Sequence, residues 1–200
     1  MRSTKEYYSN YFVLPLLAVG LLFAHATHGG TQTYQPLSSS VQISLNRAVS
    51  DQAPLDLTFA SQLEYDTWLD DTSRRLEKRI PDAGYRVEFL KTVYYEASRA
   101  GLDPQLVLGL IQVESGFKKY AVSSVGARGY MQVMPFWLNL LGKREGNLFH
   151  LRTNLRYGCV ILRHYLDMEK GDLFRALGRY NGSLGKQNYP NLVNAAWHKS

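Results

Sequence analysis

The stretch DPQLVLGLIQVESGF, residues Asp103 to Phe117, decides how the chain is read. Asp103 followed by Pro104 is a helix N-cap with proline at the first helical position. Val107, Leu110, Ile111 and Glu114 then fall at i, i+3, i+4 and i+7, which puts a carboxylate on the buried stripe of a helix. Gly116 ends that helix. Burial disfavours an ionised carboxyl and the negative end of the helix dipole acts the same way, so the Glu114 pKa is expected to be raised. Each unit of such a shift corresponds to about 1.4 kcal/mol, a cost that fits a carboxyl used in its protonated form as a general acid. Periodicity alone leaves another reading open, a half-exposed glutamate at a helix end paired with Lys118 or Lys119.

Helix punctuation organises the chain on both sides. Val87, Leu90, Val93, Tyr94 and Ala97 recur at helical spacing before Gly101, a residue suited to a left-handed cap. Ser123, Ser124, Gly126 and Gly129 mark an irregular stretch, and the proline of YMQVMP permits only a short helix or a kink. Leu155, Cys159, Leu162 and Leu166 predict a long helix closing near Gly171. Asp172 caps another, with Leu173, Ala176, Leu177 and Tyr180 on one face, so Tyr180 points inward. Residues 82–200 form a predominantly helical domain on this reading.

The N-terminal part is different in kind. Arg2 and Lys5 precede an apolar segment from Tyr11 to Ala24, and Ala24-His25-Ala26 supplies a cleavage site. Residues 1–26 are therefore expected to be a signal peptide, with Thr27 as the mature N-terminus and a periplasmic destination. The apolar segment is shorter than the ~20 residues of a membrane span and contains Pro15; an uncleaved inner-membrane anchor is the alternative. Residues 27–55, rich in Ser, Thr and Gln, read as a flexible linker. Residues 56–81 read as a helical extension, one or two surface helices carrying Phe59, Leu63, Leu69, Leu76 and Ile80 and ended by Pro81.

Composition narrows the chemistry. The 23 Lys and Arg against 17 Asp and Glu give a net charge of +6, and the chain stays basic after residues 1–26 are removed. That balance suits an acidic partner such as nucleic acid, anionic lipid or carboxylate-rich cell wall. The bases are scattered and not interleaved with aromatics, which argues against a nucleic-acid groove. Cys159 is the single cysteine, so no internal disulfide forms, and its apolar neighbours mark it as a small buried hydrophobe. The five histidines show no zinc-ligand spacing, and no metal or other cofactor is indicated.

Four further words lie in order behind Glu114-Ser115-Gly116-Phe117: Ser123, Gly126-Ala127-Arg128-Gly129-Tyr130-Met131-Gln132-Val133-Met134-Pro135, NLFHLRTNLRYG, and Arg179-Tyr180-Asn181-Gly182. Together, from about Tyr85 to about Trp197, they resemble the catalytic domain of the soluble lytic murein transglycosylases, a family related to goose-type lysozyme. The resemblance implies a mainly α, lysozyme-like helical domain with a glycan-binding cleft, preceded by a short helical N-terminal extension. It implies that Glu114 is the catalytic acid and that Ser123 and Gln132 line the cleft. It further implies that Met134 contacts the sugar, that Tyr180 reaches the catalytic carboxyl, and that Asn181 shapes the turn beside it. Without the resemblance, Met131 and Met134 read as core filler, Ser123 as loop chemistry, Gln132 as a cap or solvated side chain, and Tyr180 as a core aromatic. Asn181-Gly182-Ser183 also fits a glycosylation sequon, which the same turn explains better. Three positions depart from the family's habit: Tyr130 replaces a common leucine, His150-Leu151 a frequent Asp-Pro, and Arg179 a small residue. Tyr130 and Arg179 are expected to affect the width or charge of the cleft.

Glycosidases ordinarily pair two carboxylates, and the resemblance supplies one. Asp103 sits at the other end of the same helix, about 16 Å away. The expected activity is an exported peptidoglycan lytic transglycosylase that cleaves the MurNAc-GlcNAc bond without water and leaves 1,6-anhydro-MurNAc ends. A hydrolytic muramidase and a non-catalytic peptidoglycan-binding assembly protein are the alternatives. The expected partners are peptidoglycan glycan strands and cell-envelope assembly proteins, with the chain itself monomeric.

Overall fold

The computed structural model describes residues 32–50, 62–141 and 146–199. The proposed signal peptide therefore lies outside the described residues. Among the described residues eight helices run in order: α1 Ser39–Val49, α2 Gln62–Leu76, α3 Ala83–Arg99, α4 Pro104–Ser115, α5 Phe136–Leu140, α6 Leu151–Met168, α7 Leu173–Tyr180 and α8 Asn188–Trp197. Among the described residues there is no strand beyond isolated bridges joining Arg128 to Val122 and to Val133. The mainly α expectation holds.

Helix α4 is the axis of the domain. Its Asp103 side chain accepts from the Gln105 N–H, Pro104 occupies the first turn, and Gly116 closes it with φ 57°. The apolar stripe read from the sequence is in fact nearly a full circumference. Leu106, Val107, Leu108, Gly109, Leu110, Ile111, Glu114 and Ser115 are all buried, as expected for a helix surrounded by others. α8 covers one side: a Cβ on Gly109 would come within 2.6 Å of the Trp197 backbone nitrogen, so only glycine admits that approach. The Trp197 indole donates to Asp103 at 2.9 Å and ties the end of α8 to the start of α4. α3 and α6 complete the core with Phe89, Leu90, Val93, Leu155 and Ile161.

α3, α6 and α7 follow the sequence reading closely. Asp82 caps α3, Gly101 follows it at φ 64°, and Asp172 caps α7 by accepting from Arg175 N–H. His150 is the N-cap of α6, and its side chain makes no cap hydrogen bond. The extension is a single described helix, α2. It ends at Leu76 instead of at Pro81, and it packs on α3. Buried Arg86 locks the connection by donating to Ser73 Oγ at 2.9 Å and to the carbonyls of Ile80 at 2.6 Å and Pro81 at 3.1 Å. Trp68 stacks into a cluster with Tyr65 and Tyr94 and donates to Gln105 Oε1 at 2.8 Å.

Within the stretch read as a flexible linker, residues 39–49 form a docked helix, which corrects that expectation. Ser38 caps α1, and Leu45 and Val49 are buried against the rest of the core. Gln42 donates to the Leu140 carbonyl at 2.6 Å, and Arg99 donates to that of Ser50 at 2.5 Å. The physical cause is a narrow stripe, Val41, Leu45 and Val49 at i, i+4 and i+8, hidden in a serine-rich composition. Among the described residues no helix is long and apolar enough to cross a membrane.

Candidate active site around Glu114

At the last turn of α4, Glu114 meets Tyr189 from the start of α8 and feels Tyr180 at the end of α7, and Tyr180 in turn holds the irregular stretch Ala121 to Pro135 through Met131. Glu114 has 0% exposure. The pairing with Lys118 or Lys119 does not describe it; Lys119 instead lies over the rings of Tyr85 and Tyr120.

The stretch 121–135 is held open in shape by a few buried hydrogen bonds. Asn154, on the inner face of α6, accepts from Met131 N–H at 2.8 Å and donates to the carbonyls of Arg128 at 2.8 Å and Leu148 at 2.9 Å. A buried amide so fully used fixes a unique loop path. Glycines permit the close packing: a Cβ on Gly129 would meet Asn154 at 2.4 Å, and one on Gly158 would meet Met131 at 2.4 Å. Ser123 Oγ accepts from Ala127 N–H at 3.1 Å, closing the turn from within.

Gln132 is buried with φ 49°, a left-handed backbone that costs a non-glycine residue roughly 1 kcal/mol or more. Its Nε2 donates to the carbonyls of Ala121 at 3.1 Å and Gly129 at 2.9 Å, while its Oε1 is buried without a hydrogen-bond partner. A buried acceptor left unused is a natural contact for a ligand N–H or O–H.

Tyr180 points inward as expected, but its hydroxyl donates to the Met131 carbonyl at 2.8 Å. The hydroxyl that reaches the carboxylate belongs to Tyr189, which donates to Glu114 Oε1 at 2.5 Å. Both phenols are held neutral: burial, and next the Glu114 charge, raise their pKa values well above the ordinary one. Each is a donor throughout the working range. Tyr189 was missed because α8 was not recognised, although Tyr189, Val193 and Ala196, all buried, stand at i, i+4 and i+7. Pro190 obscures that period, yet it sits in the first turn where its missing N–H is not needed.

The other expected site residues are placed as follows. Met134 is half-buried, and its N–H donates to Gln32 Oε1 at 3.3 Å. Asn181 donates to Ser183 Oγ at 3.0 Å next to Gly182 at φ 71°, which is turn geometry. Tyr130 is buried with its hydroxyl 2.9 Å from that of Tyr85. Arg179 is paired with Glu169. Cys159 is fully buried, and burial drives its thiol pKa well up, leaving it unreactive. Among the described residues no group of three or more His, Cys, Asp or Glu could hold a metal ion.

A helical domain that keeps a buried glutamate at the end of its central helix, with a tyrosine hydroxyl on the carboxylate and a strained loop beside it, is of the lysozyme-like class. The chain belongs to the Transglycosylase SLT domain family, whose model matches residues 91–195. It is 34% identical over 103 residues to the transglycosylase of Enterobacteria phage PRD1, an alignment covering 52% of this chain and 38% of that protein. It is 48% identical over 48 residues to membrane-bound lytic murein transglycosylase C of Actinobacillus pleuropneumoniae serotype 5b, covering 24% of this chain and 13% of the relative. The protein of that name from Haemophilus influenzae is 44% identical over 48 residues. The chain thus spans well under half the length of these relatives.

Proposed function

We propose that the protein is an exported peptidoglycan lytic transglycosylase in which Glu114 is the single general acid and base. The observation that carries this reading is the complete burial of Glu114 at the end of α4 with Tyr189 hydrogen-bonded to it. A buried carboxyl in contact with a neutral hydroxyl donor is suited to giving up a proton and taking one back. Asp103, at the far end of α4, is committed to Gln105 and Trp197 and leaves the nucleophile to the substrate.

The carboxyl of Glu114 protonates the oxygen joining N-acetylmuramic acid to N-acetylglucosamine, and the bond from that oxygen to the muramoyl anomeric carbon breaks. The neighbouring acetamido oxygen relieves the positive charge on that carbon. Glu114, now ionised, removes the proton of the C6 hydroxyl, whose oxygen attacks the anomeric carbon and closes the 1,6-anhydro ring. Protons balance and no water is consumed. Gln132 Oε1, Ser123 and Met134 bind the sugars on this reading, and Asn181 fixes the turn that follows Tyr180. Export by cleavage after Ala26 delivers the protein to the periplasmic wall, where a basic chain suits a carboxylate-rich polymer.

Digestion of purified murein by the secreted chain, read by mass spectrometry of the released muropeptides, tests the proposal. Products ending in anhydro-muramic acid are expected. Products with reducing ends would make the protein a hydrolytic muramidase, and no products at all would make it a binding protein of the same fold.

A further inference from the structure

The segment before α1 enters the site. Gln32 is 3% exposed, and its Oε1 accepts from Met134 N–H at 3.3 Å and from Trp137 Nε1–H at 3.0 Å. Its Nε2 is buried beside the Tyr180 hydroxyl, close enough to lower a phenol pKa that burial and Glu114 raise, yet it makes no hydrogen bond of ordinary geometry. Tyr34 lies edge-on to Phe136 with ring centroids 5.8 Å apart. Residues 33–38 continue over Trp137 and Tyr165, leaving a groove of about 180 Å³. No helix or strand includes residues 32–37.

We propose that Gln32 to Leu37 is an internal occupant of the glycan cleft, with the Gln32 carboxamide standing where a sugar's N-acetyl group binds, so that glycan enters only by displacing it. The proposal rests on the reading of Glu114 as the centre of a glycan-cleaving site. A primary carboxamide and an acetamido group share a carbonyl acceptor with an N–H donor on the same carbon, and Met134 and Trp137 present two donors to that acceptor. The match is incomplete. Gln32 Nε2 and Gln132 Oε1 are a buried donor and a buried acceptor without a hydrogen bond of ordinary geometry, a costly arrangement for a permanent wall and an ordinary one for a stand-in that leaves. Glu114, Gln132 and Tyr180 all have zero exposure. No glycosidic oxygen reaches that carboxyl unless something moves, and a segment outside any helix, held through side chains, is the part least costly to shift.

The test compares the secreted parent chain with Gln32→Ala and, separately, Tyr34→Ala. Binding of a β-1,4-linked N-acetylglucosamine tetramer is followed through the Trp137 indole N–H resonance. Both variants are expected to bind roughly tenfold more tightly than the parent, equivalent to about 1.4 kcal/mol. Saturating the parent should move its Trp137 resonance as Gln32→Ala does. Unchanged affinity in both variants, or no binding by any chain, overturns the proposal; weaker binding overturns it too and makes Gln32 a fixed part of the wall. Tightened binding without muropeptide release from murein would retain the occupant and refute the proposed activity, so the two readings fail separately.

Discussion

Two buried glutamates, Glu96 on α3 and Glu114 on α4, show how one side chain is put to different ends. Glu96, 2% exposed, takes Arg156 on both oxygens, at 2.9 and 3.1 Å, with Arg152 at 3.4 Å and Arg99 at 3.6 Å. Its charge is met by fixed cations, and the pairs bind α3 to α6 across the core. Glu114, equally buried, receives the neutral hydroxyl of Tyr189. The first carboxylate is a clamp between helices. The second, on the proposed reading, is the one whose proton moves.

The sharpest way to break that contrast is to neutralise each carboxylate in turn. Glu114→Gln keeps the shape and the Tyr189 contact but removes the proton donor. Loss of at least about a thousandfold in murein cleavage is expected, with an unchanged thermal midpoint; retained cleavage would unseat Glu114. Glu96→Ala should do the reverse, costing about 3–5 kcal/mol in urea unfolding because it strands buried arginines, while the folded fraction keeps its activity. If Glu96→Ala is stable, the clamp is misread.

Tyr189→Phe sharpens the site half of the comparison. It removes a hydrogen bond that favours ionised Glu114, so the carboxyl should hold its proton to higher pH. The alkaline limb of the rate profile, where the acid loses its proton, is expected to move upward, with a loss of roughly tenfold in kcat/KM. Tyr180→Phe, which releases the Met131 carbonyl instead, should move that limb less. An equal shift in both would show that Tyr189 has no special claim on Glu114.

The smallest expected effect lies away from both carboxylates, at half-buried His164. Burial, and then Arg179, lower its pKa, while Asp167 raises it. With the folded value below the unfolded one of about 6.5, the unfolded chain binds more protons between the two. The His164 contribution is therefore complete above pH 6.5 and is lost as pH falls toward the folded value. His164→Gln should flatten the fall in thermal midpoint between pH 6.5 and 5; an unaltered slope would contradict the assignment.

Much of the fold was legible because its signals are local. Asp82, Asp103 and Asp172 are side-chain caps, and Gly101 and Gly116 are left-handed ends, each readable within a few residues. The burial of Glu114 followed from its spacing to Val107, Leu110 and Ile111. What escaped depends on distant partners. α1 has an apolar stripe one residue wide that makes sense only against the core, and α8 begins with a proline that masks its period. The contact of Tyr189 with Glu114 joins positions 75 residues apart, and that of Gln32 with Trp137 joins positions 105 apart. No periodicity encodes either. Tyr180 was placed correctly on an inward face, but which oxygen its hydroxyl meets is settled by the path of the 121–135 loop that Asn154 fixes.

The central claim is that Glu114 uses the substrate's own C6 hydroxyl in place of water. Digestion of murein in heavy-oxygen water, followed by mass spectrometry of the new muramoyl ends, tests it most directly. Unlabelled anhydro ends are the predicted result. Ends carrying one heavy oxygen would show that water attacked and would contradict the account.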